Sequence, residues 1–319
     1  MKDLVVQLAT NEEELDQTYR LASRIFAPSI KIGLKLRSLD QQSGLRKGFE
    51  DVVLAQYQGK VIGTLQLSER EAFLNGARLR MGGVADVCVL PEYRGRGVGK
   101  KMINFAHQEL RRRGNIFAAL FTRRSMNNYY AQLGYMEMAT SYQFKLLEDL
   151  RRSSQVCDKV SLIEGVNKRL SYQYALGYEK IYRHIPLSLK RPQSWWDFLP
   201  QRIRSWKSKK VRFFTIYHRH SFAGYLIAKD NVIIEASFTD LRPRICLSAF
   251  QNYFKRHSIK EKKFTLSPVH FAISFLKLND HIEQTTVSWN GGPMIRILNK
   301  GAFKKISISR PSWSFLDVF

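Results

Sequence analysis

A run of β-branched and small residues, Val84-Ala85-Asp86-Val87-Cys88-Val89-Leu90, stops at Pro91 and passes through Glu92-Tyr93-Arg94-Gly95-Arg96-Gly97-Val98-Gly99 into Lys100 and an amphipathic segment. The order reads as a strand, a tight turn and the start of a helix. Glycines in such a turn let the backbone approach a ligand closely. They also leave N–H groups free at the helix N-terminus, where the dipole favours anions. Arg94, Arg96, Lys100 and Lys101 add positive charge at the same place. The guest that suits this turn is a diphosphate. Glycines at 95, 97 and 99 do not give the Rossmann spacing G-x-G-x-x-G, and Gly-Val-Gly-Lys-Lys lacks the Ser/Thr that follows the lysine of a P-loop.

The segment Arg94-Gly95-Arg96-Gly97-Val98-Gly99 resembles the acyl-CoA loop of the GNAT superfamily of N-acetyltransferases, whose pattern is Arg/Gln-x-x-Gly-x-Gly/Ala after the fourth strand. A second segment, Asn127-Asn128-Tyr129-Tyr130-Ala131-Gln132-Leu133-Gly134-Tyr135, resembles the same family's helix-to-strand signature, in which a tyrosine precedes Leu-Gly-Phe/Tyr. The resemblance covers residues 1–150. It implies acetyl-CoA as co-substrate, with the pantetheine arm lying along Val87, Cys88 and Val89. The diphosphate then sits on Arg94, Gly95, Arg96, Gly97, Val98, Gly99 and Lys100, with Asn127 also at the cofactor. It makes Tyr130 the hydroxyl near the thioester sulfur, a role that suits a phenol, since a departing thiolate needs a proton or a hydrogen bond. Tyr129 reads as a helix-face aromatic packing on the sheet. Asp86 is the carboxylate inside the strand and the candidate base, although strand alternation points it away from Val87 and Val89. It is equally a structural hydrogen-bond acceptor, and deprotonation through water is the alternative. His107 reads as a solvent-facing residue of the helix after the loop, and His218 and His220 as turn residues.

The first half orders itself as β-α-α-β-β-β-α-β-α-β. Leu4–Leu8 is a short strand, and Thr10 is the expected cap of a helix with Glu12, Glu13 and Glu14 in its first turn. Residues 28–46 form a helix-loop region that in this superfamily shapes the acceptor site. Asp51–Tyr57 and Val61–Leu67 read as a hairpin around Gly59-Lys60, Ala77–Leu90 as the following strands and Val98–Arg113 as an apolar-striped helix stopped by Gly114. Ile116–Phe121 is a buried strand, and Met136–Leu146 is expected to close the unit.

A chain of 319 residues exceeds one comfortable core. The expected fold is α+β: a GNAT domain over residues 1–150, with a mixed, mostly antiparallel sheet, then a degenerate GNAT-like domain over 151–319. In the second half Val211–Tyr217, Ala223–Lys229 and Val232–Phe238 read as strands. Ile245–Arg256 and Phe271–Leu278 read as helices, and Ile282–Trp289 and Met294–Leu298 as strands. Thr239-Asp240-Leu241-Arg242-Pro243-Arg244 stands where the glycine loop would be, so this half is expected to bind no CoA. The tandem arrangement is similar to the enhanced-intracellular-survival branch of acetyltransferases. That branch carries a third, sterol-carrier-like domain, whereas about twenty residues follow Leu298 here. Its terminal carboxylate reaches the active site as a base, a role that would fall to Phe319.

No apolar run approaches the roughly 20 residues that span a bilayer, and no signal-peptide pattern opens the chain. Cys88, Cys157 and Cys246 are too few and scattered for a disulfide framework or a metal site, so a reducing cytoplasm is the expected compartment. The net charge of +25 has three competing readings: steering of the anionic co-substrate, attachment to nucleic acid or an anionic membrane surface, or a basic host proteome. Whatever its origin, it disfavours polycationic acceptors. The functional expectation is transfer of an acetyl group to an amine by direct attack. The alternatives are a longer-chain acyltransferase fed by acyl-CoA or acyl carrier protein, and a non-catalytic acyl-CoA-sensing or nucleic-acid-binding protein.

Overall fold

The computed structural model describes residues 1–27, 29–42, 48–74, 76–137, 141–146, 159–206, 210–266, 270, 272–273, 282–287 and 292–299. Cys157, Phe319 and most of the helix expected at Phe271–Leu278 lie outside them. β1 (Leu4–Leu8) leads into α1 (Glu12–Phe26). The cap of α1 is Asn11, not Thr10: Asn11 Oδ1 accepts from the Glu14 amide at 2.9 Å. Thr10 lies one residue earlier, where its amide and hydroxyl donate to the Glu14 carboxylate. The exchange satisfies donors at both sides of the helix start, worth about 1 kcal/mol. α2 (Ile30–Gln42) follows, then β2 (Val52–Tyr57), β3 (Lys60–Leu74) and β4 (Ala77–Val89). Gln58 and Gly59 both take positive φ, the geometry of a two-residue hairpin turn, and β3 runs seven residues beyond the expected end at Leu67.

α3 (Val98–Arg112), β5 (Phe117–Thr122), α4 (Asn127–Ala131) and β6 (Met136–Glu137) complete the first run. The second comprises β7 (Ser141–Leu146), β8 (Val160–Glu164), α5 (Ser171–Tyr182), β9 (Leu189–Lys190), α6 (Gln193–Asp197), α7 (Leu199–Trp206), β10 (Val211–His218), β11 (Ser221–Lys229), β12 (Val232–Phe238), α8 (Pro243–Arg256), β13 (Lys263–Phe264), β14 (Ile282–Val287) and β15 (Gly292–Ile297).

The strands form two mixed sheets. The first runs β1-β2-β3-β4-β5-β15-β6 with β9 on β3, and the second β14-β7-β13-β12-β11-β10-β8. Three strands sit away from their neighbours in sequence, the two-residue β9 on β3 among them. β7, expected to close the first sheet, pairs with β13 and β14 in the second. β15, expected among the strands of the second half, lies between β5 and β6 in the first. Residues 1–150 thus give β7 to the second sheet, and residues 151–319 give β9 and β15 to the first. A short alternating strand carries no mark of which edge it will join, which is why periodicity reads the elements and not this exchange. The β3–β9 contact adds a second seam, with the Phe73 amide donating to Ser188 O at 2.8 Å and the Leu187 amide to Phe73 O at 2.7 Å.

Each face of the first sheet has its own core. Val53, Ala55, Val84, Ala118 and Leu120 pack with Val98, Met102 and Ala106 of α3. On the opposite face Val52, Leu54 and Cys88 pack with Leu15, Tyr19 and Ala22 of α1, and Ala72, Phe117 and Ala119 with Leu187 and Leu189. The alternation along β2 and β5 sorts the side chains, so the α1–α2 face and the α3 face are chemically separate except where the sheet opens.

Candidate active site

The opening lies between β4 and β5. These parallel strands pair at Met81↔Phe117, Gly82↔Ala118 and Gly83↔Ala119, and among the described residues no further pair follows. A bulge marks the divergence. Gln66 of β3 pairs with Ala85 and Thr64 with Cys88, so β4 holds one residue more than β3 across this step, and Asp86 takes φ +51°. An extra residue bends and twists its strand. The stretch from Val84 to Val89 therefore presents to β5 a backbone edge without a strand partner, over a cleft of about 1040 Å³.

At the wide end of the cleft stands the glycine loop. Gly95 (φ +74°) and Gly97 (φ +80°) occupy the left-handed region, where any other residue is strained. Gly97 is the N-cap of α3 and offers no side chain to the first-turn amides, which an α-helix leaves without intrahelical partners. Arg94 Nε donates to Val89 O at 3.0 Å, pinning the loop to the strand end. Gly99 leaves room for the Tyr129 hydroxyl, which would lie 2.7 Å from a Cβ at that position.

The wall opposite β4 comes from α4. Tyr130 is 8% exposed, lines the cleft, and its hydroxyl pKa is pushed up to about 12, chiefly by burial and then by Tyr129. It is a phenol that keeps its proton throughout the physiological range. Tyr129 and Tyr135 meet its ring edge-on at 5.1 and 5.8 Å. Behind them His107 Nε2 and the Tyr135 hydroxyl are hydrogen-bonded at 2.9 Å. His107 is buried rather than solvent-facing, and its pKa is lowered to about 3, chiefly by burial, with Arg296 and Arg111 adding to the effect. His107 sits four residues after Ile103 and three before Leu110, so the helical period itself puts it on the buried stripe of α3.

On the α1–α2 face the Asp86 carboxylate pairs with Arg37 Nη2 at 2.9 Å, and Arg37 Nη1 donates to Gln66 Oε1 at 2.8 Å. The Arg37 guanidinium lies 4.9 Å above the Tyr19 ring. Asp86 does point to the face opposite Val87 and Val89, as alternation requires: those two pack toward the α3 core and Cys88 toward α1. The Cys88 thiol pKa is raised to about 12 by burial and by the Asp86 charge.

Of the residues singled out by sequence, Asp86, Val87, Cys88, Val89, Arg94, Gly95, Gly97, Val98, Gly99, Lys100 and Tyr130 line the cleft. Arg96 and Asn127 do not. Arg96 sits 5.9 Å from the Tyr93 ring centroid, and Asn127 Oδ1 is buried without a hydrogen-bond partner. Ile25, Phe26, Phe121 and Met126 also line the cleft and had no signal in the sequence, because an apolar residue at a helix or strand end looks like core; Arg123 lines it too, as one charge in a basic chain. Arg37 was hidden for the same reason in reverse, as one basic residue in a basic segment. Among the described residues no group of His, Cys, Asp or Glu is arranged to hold a metal, and no helix is long and apolar enough to cross a membrane.

No curated protein sequence matches the chain. Solved structures share its fold across both sheets, among them the following three. A probable N-acyltransferase from Enterococcus faecalis superposes with TM-score 0.68 at 16% identity, over 94% of this chain and 74% of its own. A GCN5-related N-acetyltransferase from Kribbella flavida gives 0.66 at 18%, over 94% and 72%. Eis1 from Mycobacterium abscessus gives 0.63 at 14%, over 94% and 74%. Identities this low speak for fold alone. The sequence of residues 8–138 matches the acetyltransferase (GNAT) domain family, a span that runs from β1 through the bulge, the glycine loop and the tyrosine helix. Over residues 8–138 the chain is thus similar in sequence to the GNAT acetyltransferase domain, and across both sheets it has the fold of the acetyltransferases named above.

Proposed function

We propose that the chain is an N-acetyltransferase that moves an acetyl group from acetyl-CoA to an amine by direct attack. The observation that carries this reading is the sheet that opens beyond Gly83↔Ala119 beside a helix end capped by glycine. An extended arm with amide groups matches an unpaired strand edge, and a diphosphate matches free helix N–H groups flanked by Arg94 and Lys100. Acetyl-CoA has both parts, and its thioester supplies the activated acyl group.

In the net reaction a C–N bond forms, the thioester C–S bond breaks, and one proton passes from the amine to the sulfur. Backbone N–H groups of the Val87–Val89 edge polarise the carbonyl, as oxyanion-type donors do. Tyr130 holds a proton at its hydroxyl, ready for the leaving sulfur, and regains one through solvent from the amine. Asp86 is engaged by Arg37. In that pairing it orients the amine as a hydrogen-bond acceptor, and water carries the released proton.

The test is thiol release from acetyl-CoA in the presence of amines, with wild type and Tyr130→Phe. The account expects kcat to fall by about tenfold to a hundredfold while acetyl-CoA affinity stays within about twofold. Equal turnover in the two proteins would make Tyr130 a packing residue only.

A further inference from the structure

Twelve large hydrophobic side chains are exposed among the described residues, and four of them, Ile25, Phe26, Phe121 and Met126, line this one cleft. Phe26 is 53% exposed and Ile25, Phe121 and Met126 are 38–40%. Single exposed apolar residues need no explanation, but a cluster on a concave site does.

The cluster is sided. Phe117 and Ala119 pack on the face of the first sheet away from α3, while Ala118 and Leu120 pack toward it. Alternation therefore puts Phe121 on the α1–α2 face. Ile25 and Phe26 end α1, which covers that same face, and Asp86 meets Arg37 of α2 there. The diphosphate features and Tyr130 belong to the loop and to the α3 face. Charge narrows the guest further. Among the described residues that line the cleft Asp86 is the sole carboxylate, and it is already paired, whereas Arg94, Lys100 and Arg123 are cationic. A polyamine would bring several charges to a site with one spoken-for carboxylate, inside a chain of net charge +25.

We propose that the acceptor is a monoamine on an apolar alkyl or aryl body, which enters from the α1–α2 face and rests on Ile25, Phe26 and Phe121. This rests on the acetyltransferase reading and names the substrate class for it. The amine sits by Asp86, and the body replaces water on the exposed rim. In the transfer the amine nitrogen bonds to the acetyl carbon, the thioester C–S bond breaks, and the amine's surplus proton ends on the released thiol.

The experiment measures thiol release by the full chain with acetyl-CoA and three probes: 2-phenylethylamine, octylamine and spermidine. The expected kcat/KM for each apolar monoamine exceeds that for spermidine by about tenfold or more. Phe26→Ser and Phe121→Ser, both at exposed positions and so compatible with folding, should raise the KM for 2-phenylethylamine by about tenfold. The acetyl-CoA Kd, read by calorimetry, should stay unchanged. Spermidine used as well as or better than the monoamines overturns the proposal. So does a shift of preference between octanoyl-CoA and acetyl-CoA with the amine KM unmoved, which would make the rim an acyl-chain site. Failure of acetyl-CoA to bind at all would sink the transferase reading and this inference with it, and calorimetry tells that outcome from the other two.

Discussion

Two strand-to-helix junctions, Val89 to Val98 in the first sheet and Phe238 to Pro243 in the second, begin from the same local order and end in opposite structures. In the first, β4 bulges at Asp86, Gly95 and Gly97 turn through positive φ, and α3 begins with its amides uncapped by any side chain. In the second, no residue from Thr239 to Arg244 has positive φ, and Pro243 removes an N–H from the first turn of α8; no side chain caps this helix either, but its N-cap residue Arg242 holds its amide and guanidinium on Asp240. Polar groups on the adjoining strand are consumed internally. Glu235, fully buried on β12, accepts from both Arg191 Nη atoms at 2.7 Å and from the Tyr225 hydroxyl at 2.8 Å. Arg191 in turn lies 4.2 Å from the Tyr178 ring centroid and 4.3 Å from that of Trp195. The difference teaches that a sheet of this kind becomes a site where two strands part and glycines turn the chain into a helix, and a core where a buried ion pair and aromatic rings fill the equivalent place.

The sharpest way to break the comparison is to open the closed side. Glu235→Ala leaves Arg191 buried without its carboxylate and should cost about 3–5 kcal/mol in urea unfolding, because an uncompensated buried charge remains. An effect below about 1 kcal/mol would mean that the pair is not what closes the second sheet. Next, closing the open side: Gly97→Val strains the left-handed cap and should weaken acetyl-CoA binding by about a hundredfold, at a stability cost of about 1–2 kcal/mol. Unchanged affinity would remove the loop from the site.

A third measurement uses one buried histidine from each side. Burial lowers the pKa of His107 to about 3 and of His270 to about 4. Each folds neutral, while the unfolded chain takes up a proton near 6.5, so the contribution is complete above that pH and is lost as pH falls, down to about 3 and 4 respectively. By pH 5 each histidine should have withdrawn about 2 kcal/mol, and His107→Gln and His270→Gln should each flatten the decline between pH 7 and 5. Parallel declines in all three proteins would contradict the assignment. The smallest expected effect is a control. Arg242→Ala, at the junction without glycines, should leave acetyl-CoA affinity within about twofold.

The open junction was legible from sequence because glycines, a proline stop and a flanking charge cluster are local signals with local causes. The position of Tyr130 on the cleft wall agrees with its place before Leu133-Gly134-Tyr135 in sequence. Three features were not legible. The exchange of β7 and β15 between sheets is a choice among distant edges, which an alternating pattern leaves open. The Asp86 bulge depends on register against β3, and nothing in Val84–Val89 marks one residue as extra. The Arg37–Asp86 pair spans 49 positions of sequence between two elements, so neither residue announces the other.

Calorimetric titration of acetyl-CoA into the intact chain, with a random DNA duplex as the parallel titrant, tests the central claim most directly. The account predicts saturable binding at one site per chain, with Kd of about micromolar order, lost in Gly97→Val and unaffected by Arg242→Ala. No heat from acetyl-CoA, beside tight DNA binding that weakens steeply with salt, would contradict it and make the net charge the functional feature instead.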